Sequence, residues 1–159
     1  MLEKKKLHLS KKEAKLKAAN FCAYQERSQK EVRQKLYEYG LYRSEVEDVL
    51  TDLIMEGFVN EERFAKIYAG GKFRIKKWGR NKIKIGLQQH DVSAYCVKKA
   101  MLEISQEDYL ATLEELTTKK ADTETETNIF KKREKISRYL IYKGYEAELV
   151  WDMVKDLVH

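Results

Sequence analysis

An all-α fold, built as an elongated tandem array of three three-helix, helix-turn-helix-like repeats, is predicted by two features of this chain. One apolar stencil occurs three times. Val32, Leu36, Val46, Val49, Leu50 and Leu53 return as Ile83, Leu87, Val97, Ala100, Met101 and Ile104, and again as Ile136, Leu140, Val150, Met153, Val154 and Leu157. The copies are offset by 51 and then by 53 residues, and self-similarity at a near-constant period marks a repeat array that works through an extended surface. Composition agrees: no proline in 159 residues, seven glycines and 36% charged residues leave helix interiors uninterrupted and their outer faces solvated.

Within each copy the apolar residues fall at i, i+4 and, past a turn, at i, i+3, i+4, i+7, the period of a half-buried helix; strand alternation is absent. The turns are Gly40-Leu41, Asp91-Val92 and Gly144-Tyr145. A helix that leaves through a left-handed residue favours Gly, and Asp tolerates that conformation better than most side chains. Ser28 with Glu31 and Ser44 with Glu47 have capping-box spacing, which opens the two helices of the first copy. A further helix precedes each pair, at about Lys11 to Gln25, Glu61 to Lys72 and Gln106 to Lys120. The first and third of these are opened by Ser10 with Glu13 and Ser105 with Asp108. The chain therefore divides into a basic N-terminal tail (1–10) and repeats over 11–59, 60–104 and 105–159. Thr117 to Asn128, with its run Thr123-Glu124-Thr125-Glu126-Thr127, reads as an irregular, mobile connection that accounts for the longer second offset. Units of roughly 50 residues bury little alone and lean on their neighbours.

Several function classes are excluded on these grounds. Lys4, Lys5 and Lys6 are followed by no apolar run of signal-peptide length and no segment approaches a membrane span, so cytoplasmic residence is the expectation. Cys22 and Cys96 lack metal-site spacing and read as buried structural thiols rather than a disulfide. His8, His90 and His159 are scattered, with His90 in an inter-helix turn. Gly70-Gly71-Lys72 resembles the end of a phosphate-binding loop, but Lys66 stands where that pattern needs glycine and Phe73 where it needs Ser or Thr. No catalytic residue, metal or cofactor is expected, and the chain does not read as an enzyme.

Charge is more informative. Lys and Arg number 32 against 26 Asp and Glu, and from Lys72 to Lys84 there are seven bases and no acid. The middle helices of the three copies sum to +2, +3 and +5, whereas the last helix of the first copy, Glu45 to Glu56, has five acids and no base, and that of the third, Glu146 to Leu157, four acids and one base. Regular stacking of the units would align the middle helices into a basic stripe, the footprint of a phosphate-backbone contact. Phe73 continues a helix-period stripe with Phe64, Ile67 and Tyr68 and reads as core; Trp78 is either a staple ahead of Gly79 or a ring on which an unpaired base stacks. A helix-turn-helix protein reading duplex sequence through its last helix is the competing interpretation, and the acids at Glu45, Glu47, Asp48, Asp52 and Glu56 oppose it.

The run Gln25 to Val32, the following Leu36 and Gly40, then Leu53 to Tyr68 with Glu56-Gly57-Phe58 and Arg63-Phe64-Ala65, and Trp78-Gly79 ahead of Lys82-Ile83 and Leu87, resemble the RecX family of bacterial recombination regulators. The likeness spans about Ala14 to Leu157. It implies a negative regulator of the RecA recombinase that binds the RecA–single-stranded-DNA filament along its groove and inhibits its ATPase, strand exchange and growth, limiting DNA repair by recombination and the SOS response. Implied partners are the RecA filament, single-stranded DNA and duplex DNA without sequence preference, met by a monomer. The residues expected to bind are Lys72, Arg74, Lys76, Lys77, Trp78, Arg80, Lys82 and Lys84, with Lys131, Lys132, Arg133, Lys135 and Arg138 as a second patch. Arg63 and Glu56 are expected to be structural.

Overall fold

A computed structural model describes residues 8–159; the basic run Lys4 to Lys6 lies outside the described residues. The described residues form helices and no strand: α1 (Lys11–Tyr24), α2 (Gln29–Glu38) and α3 (Arg43–Met55); α4 (Glu61–Arg74), α5 (Arg80–Gln89) and α6 (Ala94–Met101); α7 (Gln106–Thr123), α8 (Ile129–Tyr142) and α9 (Ala147–Leu157). Each triplet packs as one three-helix unit.

Helix starts follow the caps. Ser10 Oγ accepts from the Glu13 amide at 3.2 Å and Ser105 Oγ from the Asp108 amide at 3.1 Å. At α2 the capping box closes both ways: Ser28 Oγ accepts from the Glu31 amide at 3.1 Å, and the Glu31 carboxylate accepts from the Ser28 amide at 3.0 Å. The Ser44–Glu47 box does not form. The helix starts two residues earlier than that box requires, after Tyr42, whose amide donates to the Glu45 carboxylate at 3.1 Å. Gly40, Asp91 and Gly144 all adopt positive φ, at 89°, 57° and 110°, so each middle helix ends through the left-handed residue its turn requires.

The irregular connection over 117–128 is also corrected. α7 runs on to Thr123, and buried Thr117 donates from Oγ1 to the Leu113 carbonyl at 2.7 Å. Burial of Tyr109, Leu113 and Leu116 along one face outweighs the weak helix preference of the threonines. Only 124–128 is irregular. Lys135 Nζ lies 3.2 Å from Glu126, and Asn128 Oδ1 caps α8 by accepting from Phe130 and Lys131 at 3.1 Å each.

The stencil marks the core, except that Val97, Met101 and Met153 are only partly buried against it and one residue is exchanged at its end. Leu157 is 37% exposed while Val158 is 2% exposed, because α9 stops at Leu157 and the chain then turns Val158 inward. The core is in two pieces. Repeat 1 closes its own around Val32, Leu36, Val46, Leu50 and Leu53; repeats 2 and 3 share one that runs from Ile83 and Leu87 through Phe73, Tyr109 and Tyr145 to Val150 and Val154.

The two joints follow one plan. In each, the turn that ends a middle helix meets the N-terminus of the middle helix one repeat earlier, so the end of α8 abuts the start of α5 and the end of α5 abuts the start of α2. At the first joint Ser28 Oγ lies 2.9 Å from His90 Nδ1, and Lys30 Nζ donates to the Gln89 carbonyl at 2.9 Å. Arg63 Nε donates to both carboxylate oxygens of Glu26 at 2.9 Å, so Arg63 is structural through Glu26 rather than through its neighbours Glu61 and Glu62. Glu56 is likewise held, 2.7 Å from Lys15. At the second joint the Gly79 and Asn81 amides donate to the carbonyls of Lys143 and Gly144 at 3.0 and 2.9 Å. A Cβ on Gly79 would lie 2.2 Å from the Gly144 carbonyl carbon, so the backbones touch in a way only glycine permits. The first joint is polar; the second continues the core.

Candidate nucleic-acid interface

The acid-free stretch Lys72 to Lys84 spans the end of α4, a tight turn and the start of α5. Lys77 takes φ 56°, and the Trp78 amide donates back to the Lys72 carbonyl at 3.2 Å, closing the helix end. That reversal sets Trp78 between two lysines one helix apart. Lys72 Nζ lies 4.8 Å and Lys82 Nζ 4.6 Å from the Trp78 ring centroid. The contacts continue outward, Lys72 Nζ lying 5.4 Å from the Tyr68 ring and Lys82 Nζ 5.4 Å from the Tyr142 ring. Trp78 is half-buried against the core of repeats 2 and 3, and Phe73 is buried in it, 5.9 Å from the Tyr109 ring.

Lys76 lies beyond Lys72 on a groove of about 460 Å³ between repeats 1 and 2, floored by Phe64, Ile67, Tyr68 and Ile75. Lys84 is exposed on α5. Arg74 points elsewhere: its guanidinium lies over Gly70, where a Cβ would come within 2.8 Å of it. Two bases of the stretch are occupied. Lys77 Nζ is 3.2 Å from Glu115, whose carboxyl is held below its usual range by hydrogen bonds from Lys119 and Lys77. Arg80 sits inside the second joint. Its guanidinium lies 3.8 Å over the Tyr109 ring and donates to Glu146 at 2.9 Å and to Gln106 at 2.6 Å, while its amide donates to the Tyr109 hydroxyl at 2.9 Å. Tyr109 in turn donates to Glu146, and burial pushes the phenols of Tyr109 and Tyr145 well above their usual range.

Three bases of the second group, all on α8, are bonded locally. Arg133 donates to the Val158 carbonyl at 2.8 Å, Lys135 is paired with Glu126, and Arg138 lies 2.7 Å from Glu134. Lys131 and Lys132 lie in the first turn of α8. The acids of α3 are also partly answered, since Lys11 lies 3.0 Å from Asp48 and Lys15 reaches Asp52 and Glu56. Tyr68 and Tyr142 were not legible as part of this surface. Tyr142 comes from a repeat away, and only the rule that each turn docks on the preceding middle helix would have placed it beside Lys82.

Models of the first, second and third three-helix domains of RecX match residues 14–53, 60–101 and 106–154. The regulatory protein RecX of Clostridium acetobutylicum is 30% identical over 148 residues, covering 91% of this chain and 68% of the relative. That of Clostridium perfringens strain 13 is 30% identical over 135 residues, covering 84% and 63%, and that of Leuconostoc mesenteroides 29% over 140 residues, covering 86% and 52%. The chain thus spans about half to two thirds of the length of these relatives. The crystal structure of RecX from Lactobacillus salivarius superposes with a TM-score of 0.84 at 20% identity, over 92% of this chain and 96% of that one, and has the same fold. With three domain models matched in order, each on one of the helix triplets described above, this chain belongs to the RecX family of regulatory proteins.

Proposed function

We propose that this protein is a negative regulator of the RecA recombinase, acting in the cytoplasm as a monomer that binds the RecA–single-stranded-DNA filament and slows its ATP hydrolysis, strand exchange and growth. Family membership supports the regulatory role. The observation that carries the choice of surface is that Lys72, Arg74, Lys76, Lys82 and Lys84, five of the seven bases in the acid-free stretch, have no carboxylate within ion-pair distance among the described residues. Uncompensated bases on a rigid body keep their attraction for a polyanion, whereas Arg133, Lys135 and Arg138 are already spent on local bonds. Acids left on α9, Glu148, Asp152 and Asp156, suit contacts with the protein part of a filament.

The test is the rate of single-strand-stimulated ATP hydrolysis by the cognate recombinase as this protein is added at fixed salt. Inhibition is expected well below the recombinase concentration. A variant with Lys72, Lys76, Lys82 and Lys84 changed to Ala should inhibit about tenfold more weakly and with a shallower salt dependence. Lys77 and Arg80 are left intact because their loss would disturb joints. No inhibition, together with preference for one duplex sequence, would overturn the reading in favour of a helix-turn-helix DNA-binding regulator.

A further inference from the structure

Tyr68, Lys72, Trp78, Lys82 and Tyr142 form an unbroken alternation of aromatic rings and ammonium groups, each neighbouring pair 4.6–5.4 Å apart, which crosses the second joint from α4 to α8. We propose that this ladder is a binding site for single-stranded nucleic acid, in which unpaired bases stack on Trp78 and Tyr142 while Lys72 and Lys82 move off the rings onto the flanking phosphates. The proposal rests on the functional reading above and assigns its contact with the strand to unpaired bases rather than to phosphates alone.

Three observations carry it. First, neither lysine has a carboxylate within ion-pair distance among the described residues, so in the free protein the aromatic faces are their nearest charge-compatible partners. Lys72 and Lys82 are only partly buried, and an ammonium on a ring at such a site is a modest contact. A base on the same ring is a stronger one, and the displaced ammonium gains a phosphate, so the exchange runs toward the bound state. Second, the two rungs come from different repeats and cannot drift apart, because the backbones of Gly79 and Gly144 are in direct contact and bonded on both sides of that contact. A platform fixed in advance spends little ordering entropy on binding. Third, Trp78 is half-buried while Tyr142 is 82% exposed and free to adjust. Bases stacked inside a duplex have no free face to offer a recessed ring. The site therefore selects single strands whatever their sequence.

Trp78 and Trp151 are the two tryptophans of the chain, so a Trp151→Phe variant makes Trp78 the sole indole reporter. Titration with an oligothymidylate of about 12 nucleotides, within the usual range of such sites, should quench Trp78 fluorescence by roughly half or more. A fully paired duplex of two complementary strands and inorganic polyphosphate, which bring phosphate with no unpaired bases, should leave it nearly unchanged. Trp78→Leu should weaken binding of a fluorescently labelled oligothymidylate about tenfold. Because Trp78 also packs on the core, Tyr142→Leu serves as the variant whose loss cannot unsettle the fold, and it should weaken the same binding by roughly threefold or more. Unchanged Trp78 fluorescence at saturating oligothymidylate, or equal quenching by duplex, would overturn the ladder. If such a protein still inhibits ATP hydrolysis by the recombinase, the ladder alone has failed. If Trp78 is quenched by single strands and no inhibition occurs, the ladder stands and the filament reading falls.

Discussion

Arg80 shows how little residue type says about role once side chains are packed. By composition it is one of seven bases in an acid-free run, yet it is walled in by Tyr109, Glu146 and Gln106. The same cluster carries a pH dependence. Tyr109 and Tyr145 are fully buried, and burial, joined for Tyr109 by its bond to Glu146 and for Tyr145 by the Glu146 charge, raises both phenols above the ordinary value of 10.0. In the unfolded chain they lose their protons near pH 10, while in the folded one they keep them. The folded state then holds more protons, so the stability contributed is fully present below about pH 10 and is lost as pH rises, by about 1.4 kcal/mol per pH unit for each phenol. Urea midpoints measured between about pH 9.5 and 11 should fall steeply, and Tyr145→Phe should make the slope shallower by one phenol. Equal slopes for the two proteins would contradict this account.

Between elements, the helix ends decide the architecture. α5 enters the array through Gly79, whose amide is bonded to the turn that follows α8, and a Cβ there would also lie 2.3 Å from the Gly144 carbonyl oxygen. Neither segment can retreat without breaking the paired amide bonds of Gly79 and Asn81. Gly79→Ala should therefore cost about 2 kcal/mol or more, the upper part of the range for overpacked sites, and lower the melting temperature by roughly 5 °C or more. Gly71, in the interior of α4, has open space where its Cβ would go, and Gly71→Ala should be neutral or stabilising by up to about 1 kcal/mol. Calorimetry on the pair separates a joint from a mere glycine effect. If both variants melt like the parent, the close contact at the second joint is not a constraint.

At the scale of the whole molecule the protein is two bodies, repeat 1 with a core of its own and repeats 2 and 3 sharing another. A unit of roughly 50 residues is marginal alone, and the joint that holds it is made of Arg63 with Glu26, Ser28 with His90 and Lys30 with Gln89 rather than of apolar contact. Both tryptophans lie outside repeat 1. Denaturation followed by helix circular dichroism should thus begin at lower urea than denaturation followed by tryptophan fluorescence, and Arg63→Ala should widen the gap by shifting only the first step. Superimposable curves would mean the two bodies unfold as one. In the functional reading, a firm body presents Lys72, Trp78 and Lys82 while a loosely joined repeat 1 accommodates a helical polymer.

The all-helical repeat architecture and most of the core were determined by local pattern alone, because a stencil at helical period specifies which face of each helix is buried wherever that helix docks. Caps such as Ser28 with Glu31 and the left-handed column of Gly40, Asp91 and Gly144 are equally local and equally legible. Where residues compete for the same role, pattern no longer decides: Ser44 lost its capping box to Glu45 reaching Tyr42, and the threonines near 117–123 yielded to the buried face of α7. The candidate site was legible as an acid-free run and no further. Which of its bases are spent on Glu115 and Glu146, and that the Tyr142 ring stands beside Lys82, depend on partners 38 to 66 residues away in the chain. Only the end-to-end docking of the middle helices decides those pairings, because long-range contact is set by how backbones meet rather than by spacing along them.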